Sequence, residues 1–303
     1  MSGQAQGQRV GRSEKRRIGE ETLAICASGS YTCKGDGELA DVSISTQLEQ
    51  ALSSTVLYRP SDALPTIPEA SSKTFATRIV VRNEDTLAGA RRLVEQHQLL
   101  HSGDSNGPAV LNFASAKHPG GGFLSGATAQ EESLARCSAL YKFQIKFQQE
   151  FYEKHNRAKD ETARLCLYSS SIIYSPGVPV FRSSDHELLA QPFRASFITC
   201  PAVNMSNAAR VGVSWEDGRQ AMLARATRVL QVIHAHGHKH LVLGAWGCGV
   251  FRNPPEAVAH IFSALLRSGG EFEGVFEEVL FSVLDKTKNK AAFRAFEALD
   301  NTQ

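Results

Sequence analysis

Three glycines and a pair of acidic residues form the pattern in this chain that is best suited to chemistry. The glycines occupy positions 120–122, seven residues separate them from Gln130, and Glu131 and Glu132 follow directly. Because glycine has no Cβ atom, such a run lets backbone N–H groups come close to a ribose or a phosphate. A run of glycines also occurs in flexible turns, and acidic residues in the first turn of a helix stabilise its dipole. Sugar binding with acid catalysis and a capped helix after a turn are therefore both open.

The two glutamates would have different surroundings if they open a helix. Consecutive helical residues point about 100° apart, so one carboxyl can face a sugar hydroxyl while the other faces the scissile oxygen or packs inside. Acid catalysis near neutral pH needs a carboxyl whose pKa is raised. A neighbouring carboxylate and burial raise the pKa, whereas the helix N-terminus lowers it. The sequence leaves the balance of these effects open.

A second glycine-rich segment, LGAWGCGVFRNPPEAVAHIF, follows an apolar run that ends near Ala245. Gly244, Gly247 and Gly249 precede prolines at 254–255, which favour the start of a helix. A strand, a glycine-rich turn and a helix N-terminus together can bind an anion through backbone amides. The segment matches neither GxGxxG nor a Walker loop, so it predicts either a diphosphate site or a tight structural turn.

The elements that must position these loops alternate between strand and helix from residue 77 onward. Short apolar runs end at Phe113, Cys200, Ala245 and Leu284, with helical patterns between them. This alternation predicts an α/β fold with a mostly parallel sheet covered on both faces. Ligands of such sheets bind at the carboxyl ends of the strands, so we expect the loops after these four residues to face one crevice.

The chain before residue 77 does not show this alternation of strands and helices. Residues 13–28 have a helical pattern that Gly29 should end, and residues 30–74 predict a long connection with a few short strands. We therefore predict two parts, an N-terminal helical extension and linker over residues 1–75 and a catalytic domain over residues 76–303. The segment SIIYSPGVPVF at 171–181 is interpreted as a hairpin-like insertion.

Composition excludes several classes of protein. The 303 residues are 42% hydrophobic and 21% charged, which is typical of a globular protein, and the formal charge of +2 gives no reason to expect DNA binding. No apolar stretch is long enough for a membrane helix, and the polar, basic start does not resemble a signal peptide. Six scattered cysteines form no C-x-x-C pair. We expect a reduced, cytoplasmic protein.

Two further patterns resemble chemical sites, but we interpret them as structural. Histidines alternate at positions 234, 236, 238 and 240, but Gly237 should end a helix there, and ligands at every second residue would not share a face. Cys248 has no evident base in the sequence that would make it a nucleophile. We predict no metal and no cofactor.

Taken together, HPGGGFLSGATAQEESLARCSALY and GAWGCGVFRNPP resemble the short bacterial-type poly(ADP-ribose) glycohydrolases. The resemblance covers roughly residues 15 to 295 and includes RIGEETLAICASGSY near the start. It implies a macrodomain, a three-layer α/β/α fold with a mostly parallel mixed sheet, here carrying an N-terminal helical extension. It also implies cleavage of the ribose–ribose bonds of poly(ADP-ribose), which releases ADP-ribose without a metal.

The resemblance assigns roles to individual residues. It implies that Glu132 is the catalytic acid and that Glu131 holds hydroxyls of the ribose that is cleaved. The expected substrate-binding residues are Asn112, Gly120, Gly121, Gly122 and Gln130 around the first loop, Gly247, Cys248, Gly249, Val250 and Phe251 in the second, and Asp85 for the adenine amino group.

We expect mainly exo cleavage, because Thr287 after the last strand would crowd the 2′ oxygen of the adenosine ribose. A macrodomain that only binds ADP-ribose would not need the glutamate pair, so the pair favours an enzyme over a binding module. A hydrolase that removes single ADP-ribose groups remains the other alternative. The expected partners are poly(ADP-ribose), ADP-ribose and ADP-ribosylated proteins, and the expected state is a monomer that acts in a DNA damage response.

Overall fold

The fold is seen in a computed structural model that describes residues 10–35, 38–65, 74–99, 106–157 and 164–302. In these ranges the strands are β1 (Ser30–Gly35), β2 (Glu38–Ser43), β3 (Val56–Tyr58), β4 (Arg78–Arg82), β5 (Ala109–Phe113), β6 (Ile172–Arg182), β7 (Leu188–Cys200), β8 (His240–Leu243) and β9 (Glu278–Ser282). The helices are α1 (Arg12–Ser28), α2 (Ser45–Ser54), α3 (Thr86–Gln96), α4 (Gln130–Cys137), α5 (Leu140–Gln144), α6 (Lys154–Arg157), α7 (Arg164–Leu167), α8 (Trp215–Ala235), α9 (Pro255–Leu266) and α10 (Ala291–Glu297). No helix in the described ranges is both long and apolar enough to cross a membrane.

Seven strands form one sheet in the order β3-β6-β7-β5-β8-β9-β4. The pairs from β7 to β4 are parallel, whereas β6 runs antiparallel to both β3 and β7. The mostly parallel mixed sheet expected from the sequence is therefore confirmed. β1 and β2 form a separate antiparallel pair.

Helices cover both faces of the sheet because side chains alternate along each buried strand. Val110 of β5 packs with apolar residues of α1 to α5 on one face. Its neighbour Leu111 packs with residues of α8, α9 and α10 on the other face. The result is the three-layer α/β/α architecture.

The predicted N-terminal helix is present and packs against the first glycine-rich loop. Gly29 ends α1 in the left-handed conformation, with φ +76°, and its N–H donates to Ile25 O at 2.8 Å. Thr22 donates from its hydroxyl to Arg136 O in α4, and Arg12 donates to Ser125 O. The N-terminal helix therefore supports the segment that carries the glutamate pair.

The predicted hairpin insertion is wrong, and the predicted domain boundary stays a prediction. Residues 172–182 do not form a hairpin insertion, because β6 is one fully buried strand between β3 and β7. Its Pro-Gly pair lies at a shift of register between Ser175 and Val178, so it makes a bulge and not a turn. The predicted boundary at residue 75 is not tested, although β3, which precedes it, belongs to the main sheet.

Candidate active site

Both glycine-rich loops leave the same edge of the sheet. β5 and β8 are parallel neighbours, and the loops at 114–129 and 244–254 follow their carboxyl ends. Gly244 lies against the Phe113 ring and the backbone of Ser282, which ends β9. The chain thus brings the two loops together as expected for a parallel sheet.

Glu131 points inward from the first turn of α4 and is buried by the protein. Its Oε1 accepts from Gln144 Nε2 at 2.7 Å and from Asn112 Nδ2 at 3.2 Å, and its Oε2 accepts from Ser115 N at 2.6 Å. Burial raises the pKa of this carboxyl to about 8, although the three donors oppose the shift. Glu131 is therefore held in one orientation and titrates near neutral pH.

Glu132 points toward the glycine run. Its Oε1 accepts from Gly122 N at 3.0 Å, while its Oε2 is buried without a hydrogen-bond partner in the described part of the chain. Gly121 adopts φ +57°, and a Cβ on it would collide with the Glu132 carboxyl. The loop therefore needs glycine here both for its backbone conformation and for its close contact with the glutamate.

Asn112 and Gln130 contact the protein more than the sequence suggested. Gln130 accepts from Phe113 N at 2.9 Å and donates to Leu111 O at 2.8 Å, so its amide fastens the start of α4 to β5. The Asn112 amide donates to Glu131 and to Thr199, and its Oδ1 is buried without a partner among the described residues. Their contacts with substrate stay predictions.

The second loop presents an open surface after a structural turn. A Cβ on Gly247 would meet Ala202 and Asn253, whereas Gly249 has open space around it. Val250 is 78% exposed, and the ring of Phe251 lies 5.9 Å from that of Tyr168. This arrangement leaves room for a ligand beside Gly249 and an aromatic wall next to it.

The thiol of Cys248 in this loop is unsuited to nucleophilic attack. Burial raises its pKa to about 12, so the thiol keeps its proton at neutral pH. The role in binding that the resemblance implies for this residue is not tested.

Asp85 and Thr287 lie at the same edge but contact protein groups. Asp85 Oδ1 accepts from Leu87 N, Ala88 N and the Ser184 hydroxyl, which makes it the N-cap of α3. Thr287 donates from its hydroxyl to Asp285 Oδ1 at 2.6 Å. Their predicted roles at the adenine and at the 2′ oxygen stay predictions.

Two polar residues behind Glu131 were not predicted from the sequence. Gln144 ends α5, and Tyr152 lies in a π-helical segment, Gln148–Glu153. Both side chains are buried, and the Tyr152 hydroxyl faces the Gln144 amide, although no hydrogen bond of good geometry joins them. Neither residue belongs to a motif with regular spacing from the glutamates, so no signal in the sequence could have identified them.

Comparison with known proteins places this geometry in a family. The family model "Microbial-type PARG, catalytic domain" matches residues 19–183, more than half of the chain. No curated protein matches the chain.

Solved structures resemble nearly the whole chain. Poly(ADP-ribose) glycohydrolase from Thermomonospora curvata is 43% identical over 95% of this chain and 99% of its own, with a TM-score of 0.83. The same enzyme with the inhibitor ADP-HPD gives 43% identity, 95% and 100% coverage and a TM-score of 0.81. The Deinococcus radiodurans enzyme with ADP-ribose is 37% identical over 82% of this chain and 95% of its own, with a TM-score of 0.69. The chain therefore belongs to the microbial-type poly(ADP-ribose) glycohydrolases.

Proposed function

We propose that this glycohydrolase cleaves the ribose–ribose bonds of poly(ADP-ribose) by acid catalysis from Glu132. One observation carries the proposal: Glu132 Oε2 has no partner among the described residues, whereas Oε1 is held by Gly122 N. No described protein group therefore competes with a substrate atom for a proton on Oε2. Glu131 has three N–H donors from the protein and is less suited to deliver one.

The reaction consumes one water molecule and returns the acid to its first state. Glu132 gives its proton to the departing ribose oxygen while the bond from that oxygen to the anomeric carbon breaks. The Glu132 carboxylate then takes a proton from the water that bonds to this carbon. Glu131 holds hydroxyls of the cleaved ribose, and the backbone of the two loops binds the diphosphate.

Positive charge near the first loop supports a polyanionic substrate. The pKa of Lys15 in α1 is lowered by burial and by the charges of Arg136 in α4 and Lys286 after β9, so cations from three segments of the chain lie near one another. Thr287 follows Lys286 at this edge. We propose that Thr287 crowds the 2′ oxygen of the adenosine ribose and makes cleavage mainly exo.

The substitution Glu132→Gln tests the assignment. Gln keeps an oxygen that can accept from Gly122 N but has no acidic proton, so turnover should fall about 10²–10⁴-fold while ADP-ribose binding persists. Exposed Glu150 provides the matched control Glu150→Gln, which should act like the wild type. Release of ADP-ribose from labelled polymer measures turnover, and calorimetry measures binding.

Each alternative has its own result in these assays. Turnover by Glu132→Gln within a few-fold of the wild type would remove Glu132 as the acid. Oligomers dominating the earliest products would contradict exo cleavage. Wild-type protein that removes single ADP-ribose groups from proteins but leaves polymer intact would contradict the polymer as substrate.

We further propose a biological setting from the family resemblance and the composition. The enzyme acts as a cytoplasmic monomer on ADP-ribosylated proteins in a DNA damage response and makes no direct contact with DNA. No disulfide joins the six cysteines in the described chain, which supports a reduced compartment, and the formal charge of +2 supports the lack of DNA binding. Fluorescence microscopy of the tagged protein in cells tests the cytoplasmic location. Sedimentation of the purified protein tests the monomeric state.

A further inference from the structure

A cluster of metal-binding side chains lies at the edge of the sheet opposite the glutamate pair. His97 follows the last residue of α3, His240 opens β8, and Glu277 directly precedes β9. One potential ligand atom from each of these residues lies within 4.8 Å of the others. Because β8 and β9 are parallel, their amino ends meet here, whereas the loops of the active site follow the carboxyl ends.

Glu278 fixes the orientation of one of these imidazoles. Its buried carboxylate accepts from His97 Nε2 at 3.0 Å and from Gln96 Nε2 at 2.8 Å. Gln96 also approaches His97 Nε2 at 3.3 Å, but a carboxylate has no proton to give, so the shorter contact with Glu278 requires the hydrogen on Nε2. His97 Nδ1 then carries the lone pair. A histidine that donates to a carboxylate through one nitrogen and binds metal through the other is the usual arrangement around zinc.

We propose that His97, His240 and Glu277 bind a divalent ion of the zinc type, with Glu278 as the outer carboxylate. Two imidazoles and a carboxylate suit zinc better than magnesium or calcium, which prefer oxygen alone. Bonds of about 2.0–2.1 Å in a tetrahedral site put neighbouring ligand atoms roughly 3.3 Å apart. The separation of 3.7 Å between His240 Nε2 and Glu277 Oε2 is close to that value.

Small movements would complete the site. The imidazoles of His97 and His240 are 3.9 Å apart at their centres and inclined by 36°, so the rings must open further for both to face one ion. Glu277 is 43% exposed and can turn toward them, and water from that side would fill the fourth position. The ion would tie the end of α3 to the starts of β8 and β9, so its effect would be on stability and not on turnover.

The neighbouring histidines of the alternating segment have other contacts. His236 stacks on Tyr174 at 3.7 Å and lies 2.8 Å from the Tyr58 hydroxyl, and His238 lies 2.8 Å from the Tyr174 hydroxyl. The proposed site therefore takes only His240 from that segment and gains its partners from other elements. Spacing along the sequence gives no hint of this grouping.

The test measures metal binding by the full-length protein after treatment with a chelator and dialysis. Zn²⁺ is titrated by calorimetry, Co²⁺ is added to read the coordination from its visible absorption, and the unfolding temperature is measured with and without Zn²⁺. The variants are His97→Gln, His240→Gln and Glu277→Gln. His260→Gln changes an exposed histidine of α9 and is the matched control.

We expect one Zn²⁺ per chain, a higher unfolding temperature with Zn²⁺, and tetrahedral Co²⁺ absorption. Each of the three variants should lose at least about tenfold in affinity, and His260→Gln should bind like the wild type. If His97→Gln or His240→Gln fails to fold, Glu277→Gln still tests the proposal, because the Glu277 side chain is partly exposed. Absence of saturable binding in the wild type, or equal affinity in wild type and folded Glu277→Gln, would overturn the proposal.

Discussion

The substitution Gln144→Leu should change how Glu131 titrates without touching the substrate. Gln144 Nε2 donates to Glu131 Oε1 at 2.7 Å, the shorter of the two side-chain hydrogen bonds to this carboxyl. That hydrogen bond lowers the pKa of Glu131 against the larger effect of burial, which brings it to about 8. Leucine has similar size but no hydrogen-bond donor, so the ionised form of Glu131 loses one hydrogen bond that stabilises it.

The expected shift follows from the strength of a hydrogen bond to a charged group. Such a bond contributes about 1.5–3 kcal/mol, and 1.36 kcal/mol corresponds to one pKa unit, so the pKa of Glu131 should rise by about one to two units. At pH 7 the ionised fraction of Glu131 would fall from about one tenth to about one hundredth or less. A reaction that uses the Glu131 carboxylate would slow accordingly at pH 7 and recover in alkaline solution.

The free energy of unfolding should depend on pH in a way that shows the same shift in the pKa of Glu131. The pKa of Glu131 in the folded protein lies above the ordinary 4.5, so the folded state keeps a proton that the unfolded chain releases. The contribution of this carboxyl to the free energy of unfolding is therefore full below pH 4.5 and is lost as pH rises to about 8. In Gln144→Leu the loss should continue to about pH 9–10.

Two measurements check this reasoning against a control. The pH dependence of kcat and KM on polymer gives the inflection assigned to Glu131, and urea unfolding at several pH values gives the stability. Gln149→Leu makes the same change at an exposed position five residues later and should leave both profiles unchanged. A folded Gln144→Leu protein whose inflections coincide with those of the wild type would refute the assignment of this ionisation to Glu131.

Three further results are expected. Gly249→Leu should weaken ADP-ribose binding by at least about tenfold in calorimetry, because a side chain there would block the backbone amides. The unfolding temperature should not change, because open space surrounds Gly249. Unchanged affinity would remove this loop from the site. EDTA should leave turnover unchanged, since the potential metal ligands His97, His240 and Glu277, the cluster found in the described ranges, lie at the other edge of the sheet. Loss of turnover that a divalent ion restores would contradict this. Thr287→Arg should slow polymer hydrolysis by obstruction while the protein stays folded, and normal kinetics on polymer would show that the 2′ oxygen lies elsewhere.

Much of the fold could be predicted because the buried parallel strands have simple patterns. The apolar runs predicted to end at Phe113 and Cys200 coincide with the ends of β5 and β7, and Gly29 ends α1 as predicted. In these segments the local apolar pattern and the burial by the sheet favour the same structure. The hairpin predicted at 171–181 is wrong because pairing of β6 with strands on both sides outweighs the preference of its Pro-Gly pair for a turn.

The candidate site could be predicted only where its residues are adjacent in sequence. The glycines and glutamates share one segment, so their pattern was visible. The donors to Glu131 come from Asn112 in β5, from the loop after it and from α5, and only the folded chain brings them together. The same holds for His97 and His240, which are far apart in sequence but have ring centres 3.9 Å apart.

The structure also explains how two adjacent glutamates acquire different surroundings. The Gln130 amide fastens the first residue of α4 to the end of β5, which fixes the rotation of the helix about its axis. With this rotation set, the turn of about 100° between neighbours sends Glu131 toward buried N–H donors and Glu132 toward the glycine run. Gln130 thus positions both carboxyl groups through the backbone, and a change at Gln130 should disturb Glu131 and Glu132 together, unlike the change at Gln144.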